Sequence, residues 1–166
     1  MPLDQSFVGR TYPPTETYEV ARVKIREFAE AVGDLHPAYL DPEAAKALGH
    51  PDVIAPPTFS IVISMPAVNR VVDDPALGLD WSRVVHGDQS FSHTRPMRAG
   101  DHIQCSVRVE SIRSMAGNDM ITLACELSTV EGEPVCTSRA MLVARAEKAG
   151  DVAVGSHSAD NRAGES

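Results

Sequence analysis

The feature that most limits what this chain can fold into is a change of hydrophobic period partway along it. Ile103, Cys105, Val107 and Val109 alternate with Gln104, Ser106, Arg108 and Glu110, and Ile121, Leu123, Cys125 and Leu127 alternate with Thr122, Ala124 and Glu126. Successive side chains of a strand point to opposite faces, so a period of two predicts a sheet with one buried face. Val84 to Met97 reads as the first extended segment and Val135 to Val143 as the last strand. Met115-Ala-Gly-Asn-Asp119 and Glu131-Gly-Glu-Pro134 have turn compositions. Three or four antiparallel strands in a meander follow.

Upstream of Val84 the spacing is helical. Pro2, Pro13 and Pro14 predict an extended lead-in over residues 1–17, and Tyr18 to Val20 a short strand. Ala21, Ile25, Phe28, Ala29 and Val32 then share one helical face, with Arg22, Arg26, Glu27 and Glu30 on the other. Gly33 suits the left-handed stop. A second, short helix has Asp41 as its cap, Pro42 at its first position and Gly49 as its close. His50 to Pro57 reads as loop. The run Phe59 to Met65 is apolar nearly all round, which fits a buried helix starting at Pro57, with a kink or an end near Pro66. Residues 69–83, with Asp73, Asp74, Pro75, Gly78 and Trp81, read as a long loop.

Helices first and a meander afterwards, with one apolar helix for the sheet to cover, is an α+β order. A length of 166 residues suits one domain, placed at residues 1–146. Residues 147–166 are mostly Gly, Ala, Ser, Asp and Asn with little to bury, and are expected to be a disordered tail.

Composition serves mainly to exclude. The net charge of −8, without any basic run, argues against a nucleic-acid surface. The longest apolar run, Phe59 to Val68, is broken by Ser60, Ser64 and Pro66 and is too short to span a bilayer. The N-terminus lacks a charged region followed by an apolar stretch. Cys105, Cys125 and Cys136 have no C-x-x-C spacing, so they read as buried thiols in a reducing compartment, and a cytoplasmic location is expected. His86, Asp88, His93, Asp101 and His102 lie close in sequence, but His86 and His93 are an odd number apart in a strand and would face opposite sides, and no ligand spacing typical of metal sites exists. Neither G-x-S-x-G nor a Gly-rich phosphate loop occurs. No metal and no cofactor is expected.

The chemistry-bearing stretch is Gly33 to Tyr39, held between two helices. Asp34, His36 and Tyr39 lie within six residues. A carboxylate near an imidazole can move protons beside a carbonyl. Equally, Asp34 can brace a turn while His36 stands in solvent.

Phe28-Ala-Glu-Ala-Val-Gly-Asp-Leu-His-Pro-Ala-Tyr-Leu-Asp-Pro-Glu-Ala-Ala resembles the hydratase motif of the MaoC-like dehydratases. Ile54-Ala-Pro-Pro-Thr-Phe59, Val85-His-Gly-Asp-Gln89, Thr94-Arg-Pro96 and Ala99-Gly-Asp101 resemble its N-terminal-half, non-catalytic-subunit branch. The likeness runs from about residue 5 to 146. It implies a hot-dog fold, a sheet curled around one long helix, and hydration or dehydration of an acyl thioester on CoA or a carrier protein. In catalytic members the turn reads Gly-Asp-x-Asn-Pro-x-His, and backbone N–H groups beside a His-Gly pair at the helix start polarise the thioester carbonyl. Here Gly33, Asp34 and Pro37 are kept, His36 stands in the Asn position, Tyr39 in the His position, and Pro56-Pro57 in place of His-Gly. Tyrosine is a poor base near neutral pH, and proline has no N–H to donate.

The resemblance therefore implies a subunit of a (3R)-hydroxyacyl-thioester dehydratase or enoyl-thioester hydratase that has kept the fold and lost the acid/base pair. Such a chain would form a heterodimer with a catalytic MaoC-like partner. Two other readings stay open: a homodimeric acyl-thioester-binding module without turnover, and a self-sufficient hydratase using Asp34 with His36 or Tyr39. The acyl chain is expected beside Pro57, Thr58, Phe59 and Ile63, with loop 69–83 bordering it. A sheet edge of this fold needs covering, which predicts a dimer.

Overall fold

A computed structural model describes residues 3–145; the expected tail, 147–166, lies outside the described residues. The lead-in is less extended than its prolines suggest. A turn of 3₁₀ helix forms at Gln5–Phe7, and β1 (Thr11–Tyr12) and β2 (Tyr18–Glu19) both pair antiparallel with β4 (His102–Met115).

Helix α1 (Arg22–Val32) ends as its glycine requires. Gly33 has φ 74°, its N–H donates to Glu30 O, and the next N–H, of Asp34, donates to Ala29 O. These two bonds form a Schellman close, which satisfies two carbonyls left open by the helix end. The backbone of Asp34 is thereby fixed by the stop itself. The following residues form an additional one-turn helix, α2 (Pro37–Leu40), where turn had been expected. His36 caps it and Pro37 takes its first position. Helix α3 (Pro42–Ala47) is capped by Asp41, whose Oδ1 accepts from Glu43 N at 2.9 Å.

The apolar run is a helix and is longer than its sequence indicated. A 3₁₀ turn at Pro57–Phe59 leads into α4 (Ser60–Val72), which continues through Pro66 for another turn and a half. Burial explains the continuation. Ala67, Val68, Val71 and Val72 are all buried against the sheet, so packing outweighs the bond lost at the proline. The loop read as 69–83 consequently begins only after Val72 and ends in a 3₁₀ turn at Trp81–Arg83.

The strands β3 (Val84–His93), β4, β5 (Asn118–Thr129) and β6 (Pro134–Ala144) complete a six-stranded antiparallel sheet in the order β1-β4-β5-β6-β3. The β4-β5-β6 meander is as expected. The β4–β5 connection is a tight hairpin in which Ala116 (φ 52°) and Gly117 (φ 79°) are both left-handed. Strand β3 adds to the far side of β6, so within the described residues it is an edge.

A bulge at Gly87 shifts the β3 register between His86 and Asp88. His86 then opposes Leu142 and His93 opposes Cys136, six positions apart and on the same face. The expectation that they face opposite sides fails because the extra residue restores parity. They remain roughly 20 Å apart along the strand. The inner face of the sheet, with Ile103, Cys105, Val107, Ile121, Leu123, Leu127 and Ala140, closes around α4 to form one core.

Candidate functional site

The turn after α1 brings Asp34, His36 and Tyr39 together without making them an acid/base pair. His36 Nδ1 accepts the backbone N–H of Ala38 at 3.2 Å. A nitrogen that accepts carries its lone pair into that bond, so the neutral ring holds its proton on Nε2. His36 can take up a proton at Nδ1 only by breaking the cap of α2. The Tyr39 ring lies 5.4 Å from the His36 ring, tilted at 49°. Burial, and then the negative charge of Asp34, push the Tyr39 phenol above its ordinary range. Tyr39 is thus a neutral donor, not a base. Asp34 and His36 are exposed.

Tyr39 leans against a cavity of about 290 Å³ whose wall also includes Pro57, His93, Arg95 and Met97. Its lining does not include Asp34 or His36. Three cross-links build it. Ala55 N donates to Met97 O at 2.8 Å and Ala99 N to Val53 O at 3.0 Å, which stitches the 53–55 segment to the 97–99 segment. Arg95 holds the end of this segment through two bonds to Asp101, at 2.8 and 3.0 Å, and two to Glu133, at 2.9 and 3.1 Å. His93 Nε2 donates to Pro57 O at 2.9 Å, tying the end of β3 to the start of the α4 helix.

At that helix start Pro56-Pro57 stands where the resemblance has its His-Gly donors. Pro56 and Pro57 carry no N–H, and the N–H of Phe59 is spent on Pro56 O at 2.9 Å. Thr58 is exposed. Phe59 is core, 0% exposed, edge-on to Phe28 at 5.3 Å and to Tyr18 at 6.3 Å. Ile63 lines a separate cleft of about 300 Å³ between α4 and the 15–18 segment, together with Val62, Pro66 and Arg70. Of the four residues expected to touch an acyl chain, Pro57 and Ile63 therefore border different cavities, Thr58 faces solvent and Phe59 is filled in.

His93, Arg95 and Met97 had no role assigned to the cavity from the sequence. Their part depends on β3 joining β6 and on the 53–55 to 97–99 contact, both long-range pairings without a local signal. Cys136 Sγ lies 3.9 Å from His93 Nε2, but burial raises its thiol, so it is not a thiolate nucleophile. No group of three or more metal-ligating side chains occurs among the described residues, and none of their helices is long and apolar enough to cross a membrane.

Comparison with known proteins places this geometry. Residues 6–138 match the family model described as FAS1-like, dehydratase domain region. A UPF0336 protein of Saccharopolyspora erythraea is 62% identical over 145 residues, covering 87% of this chain and 93% of that protein. One from Streptomyces avermitilis is 61% identical over 150 residues, 90% of this chain and all of the relative. Among solved structures, a MaoC-like dehydratase superposes with a TM-score of 0.79 at 33% identity over 86% of this chain; the chain spans 43% of that longer protein. The HadBC (3R-hydroxyacyl-ACP dehydratase) complex of Mycobacterium tuberculosis gives 0.73 at 28% identity, covering 82% of this chain and 96% of the matched chain. The sheet wrapped on α4, the turn after α1 and these matches agree: the chain belongs to the FAS1-like dehydratase-region family and has the hot-dog fold of the MaoC-like dehydratases.

Proposed function

We propose that this chain is a subunit of a (3R)-hydroxyacyl-thioester dehydratase or enoyl-thioester hydratase, acting on acyl-CoA or acyl-carrier thioesters in the cytoplasm. A partner hot-dog chain supplies the acid/base pair, and this chain shapes the site that holds the acyl thioester. The observation that carries the reading is the state of the turn. The lone pair of His36 is committed to Ala38 N, and the residue in the family's base position is a protonated tyrosine. With Pro56 and Pro57 at the helix start, neither proton transfer nor carbonyl polarisation has its usual groups.

Two features support a partner. Strand β3 offers an unpaired edge among the described residues; Val85 lies within it and Trp81 just before it, 37% and 48% exposed. Long edges with apolar neighbours are normally covered. A similar solved structure, HadBC of Mycobacterium tuberculosis, is a complex, in keeping with a hetero-pair.

The test is hydration of an enoyl-CoA by the purified chain, alone and after mixing with a catalytic MaoC-like subunit. Turnover only in the mixture supports the proposal. Thioester binding without turnover in either arm points to a binding module.

A further inference from the structure

His93 is the polar group of the Tyr39 cavity that the degenerate turn does not explain. Its Nε2 sits 2.9 Å from the carbonyl oxygen of Pro57. A carbonyl can only accept, so Nε2 carries the hydrogen and Nδ1 keeps the lone pair. This is the reverse of His36, whose Nδ1 lone pair is already used. The bond to Pro57 also fixes the ring against the helix start, so its lone pair is presented in one orientation. Tyr39 borders the same cavity, and also the one of about 350 Å³ that Arg22 and Arg26 line; its neutral hydroxyl is a donor. The remaining wall is largely apolar, with Ile54, Ala55, Pro56 and Met97. The Arg95 guanidinium is committed to Asp101 and Glu133. The polar side chains of the wall besides Arg95 are thus His93, Thr94 and Tyr39, set on an otherwise apolar surface, the usual composition of a small-molecule site. Its volume of about 290 Å³ suits the head of a substrate and not a long acyl chain.

Resting on the thioester reading above, we propose that His93 and Tyr39 are a recognition pair for the 3-hydroxyacyl head group: His93 Nδ1 accepts from the 3-hydroxyl and the Tyr39 hydroxyl donates to the thioester carbonyl. The pair binds and orients without transferring a proton. It makes this chain selective for the hydroxylated over the saturated acyl group.

The experiment is calorimetric binding of 3-hydroxyoctanoyl-CoA and octanoyl-CoA to the full chain. Wild type is expected to prefer the hydroxylated ligand about tenfold, the worth of one well-placed hydrogen bond. His93→Phe abolishes that preference while leaving octanoyl-CoA affinity within about threefold of wild type. His93→Gln, whose amide can donate to Pro57 O and still accept, retains the preference. Tyr39→Phe weakens both ligands alike. A His93→Phe variant that weakens both equally shows a merely structural latch and overturns the assignment. So does a wild type that binds both without preference. Binding of neither by wild type removes the thioester reading itself, and the assignment with it.

Discussion

The Nδ1 atom of His36 and the backbone N–H of Ala38 are joined by a 3.2 Å hydrogen bond. That contact makes His36 the cap of a one-turn helix and takes its lone pair out of chemistry. Replacing it with alanine should cost about 1 kcal/mol, the usual worth of an N-cap, and lower the melting temperature by about 2–4 °C. Asn, a stronger cap, should restore or exceed wild-type stability. Thermal denaturation followed by circular dichroism checks both, and a His36→Ala variant as stable as wild type would show that the cap carries nothing.

Tyr39 gives a pH signature. Burial and then the charge of Asp34 hold its phenol above the ordinary range, and Tyr12 and Tyr18 are raised too, chiefly by burial. A raised folded-state pKa means that the folded protein keeps protons the unfolded chain has begun to release. The associated stability is complete below about pH 10, where unfolded tyrosine titrates, and is lost as pH rises through the folded values. Tyrosinate absorbance, read as the difference between wild type and Tyr39→Phe, should show Tyr39 titrating at lower pH once Asp34→Asn removes the neighbouring charge. No movement would contradict the coupling between the two.

Arg95 and Asp101 form the most enclosed ion pair described, with side chains 16% and 7% exposed. Asp101 also accepts from Arg98 N at 2.9 Å. Removing Asp101 leaves Arg95 to Glu133 alone and Arg98 N without its acceptor, so Asp101→Ala should cost about 1–3 kcal/mol. Urea unfolding measures it; a loss below 1 kcal/mol would mean that Glu133 alone satisfies Arg95.

The open side of β3 predicts association. Light scattering at micromolar concentration should report a dimer, and Val85→Lys, a charge placed on the edge, should shift the population toward monomer. A clean wild-type monomer would count against an interface on this strand.

Local chemistry in the sequence was enough for the Gly33 stop, the Asp41-Pro42 start and the β4-β5-β6 meander, because caps, turns and period-two alternation each act over a few residues. Helix α2 had its signal in Pro37, but histidine is an uncommon cap. The passage of α4 through Pro66 depends on packing against the sheet and not on propensity. The position of β3 beside β6, its bulge at Gly87 and the meeting of Tyr39, Pro57 and His93 around one cavity are products of long-range pairing. Asp34, His36 and Tyr39 were visible as a cluster. What they can do depends on which lone pair is already spent, and only the geometry shows that.

The most direct measurement of the central claim is the rate of enoyl-CoA hydration with and without Asp34. The chain alone should show no turnover above background, and its Asp34→Ala variant mixed with a catalytic MaoC-like subunit should reach a rate within about twofold of the wild-type mixture, a difference of less than 0.5 kcal/mol in barrier. Turnover by the chain alone that disappears in Asp34→Ala would contradict the account and make this turn a working active site.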